Sequence, residues 1–78
     1  MIIDVRKPDE FQKGHAEGSC NIPLQEMEQH LDEIKKMPKP VIVVCGGGTR
    51  SVKAFELLQA KGIVCEHGGS WKSVGNKK

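Results

Sequence analysis

The chain has 78 residues, enough for one small domain, which buries only roughly 60% of the surface it exposes when unfolded. Twelve Lys plus Arg stand against ten Asp plus Glu, and the formal charge of +2 is interspersed apart from Lys77 and Lys78, so this is a solvated surface and no nucleic-acid footprint. With only Phe11, Phe55 and Trp71 as aromatics there is no base-stacking platform, and charge by the fourth residue leaves no room for a signal core or a membrane span.

Met1 to Val5 is an apolar run of strand length, and Pro8-Asp9-Glu10 supplies a proline and two acids suited to the first turn of a short helix ending at Lys13 and Gly14. Ser19 to Ile22 reads as a brief strand closed by Pro23. From Leu24 the spacing changes, and Leu24, Met27, Leu31 and Ile34 predict an amphipathic helix that Pro38 and Pro40 end. Val41-Ile42-Val43-Val44 is an unbroken β-branched run, the pattern of a strand buried on both faces of a parallel sheet.

After three glycines a helix starts near Arg50 or Ser51, with Val52, Phe55 and Leu58 on one face, and stops at Gly62. Ile63 to Cys65 reads as a last short strand, His67-Gly68-Gly69 as a turn, and Ser70 to Val74 as one or two helical turns. Strands alternating with helices, with no linker and no internal repeat, predict a single α/β domain over residues 1–78.

The loop from Val44 to Arg50 leaves the most buried strand at its carboxyl end, where open α/β sheets hold their ligands. A helix start directs unpaired N–H groups and the positive dipole end back at that loop, and Gly46, Gly47 and Gly48 can turn successive amides inward around an anion. A thiol at Cys45, next to Arg50, has its thiolate favoured there, and thiolate is the nucleophile. The bland alternative is a small buried residue ending a strand. GGGTRS lacks the GxxxxGK[ST] spacing of a nucleotide loop, and Cys20, Cys45, Cys65, His15 and His67 follow no zinc spacing, so neither cofactor nor metal is expected. Three cysteines without CxxC spacing fit a reducing, cytoplasmic compartment, a mature periplasmic form being the alternative.

IDVRKPDEFQKGH, NIPL, VVCGGGTRS, LLQAKGI and GGSW, in that order along nearly the whole chain, resemble the rhodanese-like sulfurtransferases. The resemblance implies a three-layer sandwich, a small mostly parallel sheet with helices on both faces, and a catalytic cysteine in the loop after the central strand. It also implies covalent, two-step chemistry: Cys45 takes the outer sulfur of a small anionic donor such as thiosulfate, and its persulfide passes that sulfur to cyanide or a thiol. Carried over residue by residue, Cys45 is the nucleophile, Gly46, Gly47, Gly48, Thr49 and Ser51 give amides to donor and persulfide, and Arg50 supplies fixed positive charge. Asp4 and Arg6 match the family's Asp-x-Arg, Asp4 to brace the loop or Arg50 and Arg6 to tie down adjacent backbone. His15 and Trp71 match positions read as structural.

Cys45 and Arg50 enclose four residues, one fewer than in phosphatases and arsenate reductases of the same fold, whose tetrahedral phosphate needs a wider cradle. The remaining alternative is a sulfur-carrier or persulfide-binding module with little turnover of its own, served by a sulfur-relay protein. Three departures from the family pattern matter. The segment begins where the family usually has a strand and helix already, which predicts a missing N-terminal edge strand and a monomer or weak homodimer. The loop interior carries no cation before Arg50. Cys65 is expected near the carboxyl end of the strand beside Cys45, as a candidate resolving thiol, with Cys20 at the opposite edge.

Overall fold

The computed structural model describes residues 1–46 and 49–72. In chain order the elements are β1 (Ile2–Asp4), α1 (Pro8–Lys13), β2 (Cys20–Asn21), a 3-10 helix (Leu24–His30), α2 (Leu31–Lys35), β3 (Val41–Cys45), α3 (Thr49–Ala60) and β4 (Cys65–Ser70). The strands form one sheet in the order β2-β1-β3-β4, with every pairing parallel. The α/β class and parallel sheet expected from the sequence are therefore present, and β3 lies inside the sheet as its β-branched run requires.

Strand alternation sorts the core. Ile3 and Val5 with Val41, Val43 and Cys45 face one way and pack with Ala54 and Leu58 of α3, Met27 of the 3-10 helix and Ile34 of α2, all nearly or completely buried. Leu58 and Ile34 have no exposed surface, and a buried side chain of this size contributes roughly 1.5–3 kcal/mol. In the opposite row Asp4 and Val44 are buried, while Ile2 and Ile42 are half-buried.

Two segments depart from the sequence reading. The helix expected from Leu24 is 3-10 through His30 and turns α-helical only at Leu31–Lys35. Three residues per turn stack i on i+3, so Leu24 and Met27 still share a face, and no side chain caps the start after Pro23. The last strand begins where it was expected to end, at Cys65, and runs through His67-Gly68-Gly69, the stretch read as a turn. Strand pairing wins because these glycines suit the sheet. A Cβ on Gly68 would lie 2.8 Å from both Ile42 Cγ2 and Val44 Cγ1, and Gly69 sits at φ 75°, which L side chains rarely adopt. The ladder accordingly jumps from Val43↔His67 to Val44↔Gly69, a bulge of one residue. The helical turns expected over Ser70 to Val74 are described only as far as Trp71 and Lys72; Val74 lies outside the described residues.

Candidate active site

Cys45 is the last residue of β3, one place earlier than the loop position expected, and it is 1% exposed. Alternation turns its side chain toward α3, where the thiol donates to Ser51 Oγ at 3.5 Å. Ser51 lies in the first turn of α3 and is completely buried. Its side chain therefore meets the sulfur directly, beside the backbone amide expected from the sequence. On the far side of that hydroxyl, His67 Nε2 lies 2.8 Å away. His67 reaches it because residues 65 and 67 of β4 face α3 together: Cys65 donates to the Phe55 carbonyl and the His67 ring meets the Phe55 ring edge-on.

Arg50 extends the other way. Its Nη1 donates to Glu10 Oε1 of α1 at 2.8 Å, and this carboxylate also accepts the Lys7 N–H at 3.2 Å. The Arg50 bond, ahead of the Lys7 bond, holds the Glu10 carboxyl below the usual carboxylate range; the same pairing pushes Arg50 up, with a smaller contribution from the charge on Cys45. A Cβ on Gly46 would lie 3.8 Å from both Arg50 Nη2 and Arg6 Cδ, so the exposed Gly46 backbone runs between two arginines. Thr49 opens α3 and is exposed. Gly47 and Gly48, expected to cradle the anion, lie outside the described residues.

Asp4 and Arg6 brace the rim. The Asp4 carboxylate, fully buried, accepts from the Arg6 backbone N–H and from Nε and Nη2 at 2.8–3.1 Å, and so serves Arg6 in place of the bond to Arg50 considered from sequence. Arg6 Nη2 also reaches the Gly14 carbonyl at 2.5 Å, and its guanidinium stacks on the Trp71 ring at 4.9 Å. Arg6 therefore ties β1, the end of α1 and the end of β4 together. Asn21 adds bonds to the carbonyls of Asp4 and Arg6, and His15 stacks on Phe11 with Nδ1 donating to the Phe11 carbonyl. Beside Arg50 a cleft of about 260 Å³ is lined by Val5, Lys7, Leu24 and Gln25.

Cys65 needs correction. It pairs with Val41, at the start of β3, whereas Ser70 pairs with Cys45. Four residues of parallel strand place it roughly 13 Å from the Cys45 end of the sheet. β4 starts later than Ile63, so Cys65 is its first residue and Ser70 its last. Burial pushes the Cys65 and Cys20 thiols up, and Cys20 lies in β2 at the far edge.

A cysteine ending the inner strand of a parallel sheet, an arginine five residues on and an Asp-x-Arg brace on the next strand form one constellation. The family model of the rhodanese-like domain matches residues 1–77. The chain belongs to the rhodanese-like family. The thiosulfate sulfurtransferase PspE of Escherichia coli is 33% identical over 97% of this chain and 75% of its own length. The uncharacterized protein YqhL of Bacillus subtilis is 38% identical over 99% of this chain and 62% of its length, and a putative mitochondrial thiosulfate sulfurtransferase of Schizosaccharomyces pombe is 34% identical over 99% and 64%. This rhodanese-like chain thus spans less than two thirds of those last two relatives. Among solved structures, a rhodanese with anions from E. coli superposes with a TM-score of 0.82 at 34% identity, over 92% of this chain and 87% of that one.

Sequence reasoning missed Glu10, His67 and Lys7. Glu10 was read as a helix-start acid only, although its place two residues after Pro8 also fixes which way it faces. His67 was absorbed into a turn, and Lys7 lies in a connection that no periodicity describes.

Proposed function

We propose that this protein is a sulfurtransferase that carries sulfane sulfur on Cys45. The observation that carries the reading is the place of the Cys45 thiol, at the carboxyl end of the inner strand, against Ser51 at the start of α3 and one residue from Gly46, where Arg50 and Arg6 approach. The Cys45 thiolate attacks the outer sulfur of thiosulfate. A new S–S bond forms, the bond between the donor's two sulfurs breaks, and its electron pair leaves on sulfite. Cyanide or an acceptor thiolate then removes the outer sulfur and returns the Cys45 thiolate. Arg50 supplies fixed charge toward donor and leaving group, with Gly46, Gly47, Gly48 and Thr49 as the backbone around them. Asp4 and Arg6 hold the neighbouring strand end. The domain works as a monomer or weak homodimer in a reducing compartment.

Mass spectrometry after a short incubation with thiosulfate tests this: one sulfur atom is gained on the Cys45 peptide and none in Cys45→Ser. Absence of that gain with any sulfane donor, or an unchanged thiosulfate-to-cyanide rate in Cys45→Ser, overturns it.

A carrier role with little turnover is favoured by one observation, the engagement of Arg50 by Glu10, which leaves less unbalanced charge for a dianionic donor. A relative in B. subtilis is named a putative sulfur carrier protein, at 33% identity over 80% of this chain. Loading without steady-state turnover selects that reading.

A further inference from the structure

Building on the sulfur-carrying role of Cys45, we propose that His67 is a positioning residue that withdraws the thiol proton through the Ser51 hydroxyl. Cys45 is 1% exposed and Ser51 fully buried, whereas His67, which the Ser51 hydroxyl meets, is exposed. The three groups are in line: Sγ to Ser51 Oγ at 3.5 Å, and Ser51 Oγ to His67 Nε2 at 2.8 Å. The sulfur–oxygen step suits a sulfur donor, and the oxygen–nitrogen step is an ordinary hydrogen bond.

The transfer balances. The Cys45 S–H bond breaks and its proton joins Ser51 Oγ, while the Ser51 proton passes to Nε2. The products are a thiolate, a neutral hydroxyl and an imidazolium, which returns its second proton to water. Nothing is oxidised or reduced. An imidazole is the side chain able to accept and release a proton near neutral pH, and as imidazolium it is an opposite charge close to the thiolate.

Among the described residues, these groups lie around the ring. From α3, Ser51 and the Phe55 ring face it, and neither carries charge. Within β4, Cys65 shares its face two residues away, while Glu66 alternates to the other side of the sheet. From β3 the thiol of Cys45 lies beyond Ser51, and Arg50, next in α3, is directed to Glu10.

The test follows the Cys45 thiolate directly, by its ultraviolet absorbance as the free protein is titrated, with Cys45→Ser as the blank. The chain has no tyrosine, so no tyrosinate band overlaps, and Cys20 and Cys65 are displaced upward by burial. His67→Gln keeps a hydrogen-bonding side chain that cannot take up the proton. The thiolate midpoint moves up by about one pH unit, roughly tenfold less thiolate at neutral pH. Ser51→Ala moves it in the same direction, the double variant shifts no further than Ser51→Ala alone, and Ser51→Thr restores the starting curve. A His67→Gln curve that superimposes on the unmodified protein, or shifts that add in the double variant, overturns the proposal. Circular dichroism confirms that each variant is folded. Because no donor is used, the outcomes separate: sulfur loading with superimposable titrations removes only the relay, and coupled titrations without sulfur loading remove only the transfer function.

Discussion

The Arg50 guanidinium and the Glu10 carboxylate meet at 2.8 Å, joining the start of α3 to α1 across 40 residues of chain. Both groups remain well exposed, with 36% and 40% of their side-chain surfaces open, so solvent screens the pair and its weight falls on orientation. Glu10→Gln removes the competing negative charge while keeping an acceptor for Arg50. The expected result is a two- to fivefold lower KM for thiosulfate with kcat changed less, roughly what an exposed pair's energy allows. Initial-rate kinetics at low and high salt check this, the gain shrinking at high salt.

The same pair sets a pH limit. Glu10 is depressed in the folded state, so the bond contributes above its ordinary pKa of 4.5 and is lost as pH falls through the lower folded value. Activity changes between about pH 5 and 8 therefore persist unaltered in Glu10→Gln. Parallel pH–rate profiles of the two proteins are the measurement.

Asp4→Asn strikes the buried brace. Arg6 keeps its charge, side-chain exposure is only 7%, and its Nε, Nη2 and backbone N–H lose the carboxylate that receives them all. A loss of about 3 kcal/mol in unfolding free energy is expected, because a buried charge is left without its counterion. Urea denaturation checks it, and Trp71 fluorescence reports the loosened stack on Arg6.

Cys65→Ser leaves sulfur loading of Cys45 and single-turnover transfer unchanged. The two residues sit at opposite ends of adjacent strands, well beyond the span of about 7 Å that a disulfide bridges between α carbons. Peptide mapping of the oxidised protein without reductant shows no Cys45–Cys65 link.

Much of this arrangement was legible in the residues. The run Val41 to Val44 announced the inner strand because four β-branched side chains have no amphipathic alternative. Cys45 followed from that strand's carboxyl end, and Arg50 from the helix start. The Leu24 segment carried the right apolar spacing but not the helix type, since stacking at i and i+3 satisfies both geometries. His67 was hidden for a different reason. Two glycines after it read locally as a turn, and only the neighbours Ile42 and Val44, distant in sequence, turn that lack of side chain into a strand contact. Which acid Arg50 selects was likewise fixed by the packing of α1, which spacing along one element cannot express.

The single residue added to the ladder at Gly68 reverses parity within β4. Up to His67, odd-numbered side chains look toward α3; beyond the kink, Ser70 comes level with Cys45 and Trp71 swings over Arg6. Excising Gly68 would thus rotate the remaining strand by half a turn, inverting which faces of the rim Ser70 and Trp71 occupy while leaving the first three strands in place. Length at that point is as binding on the rim as chemical identity.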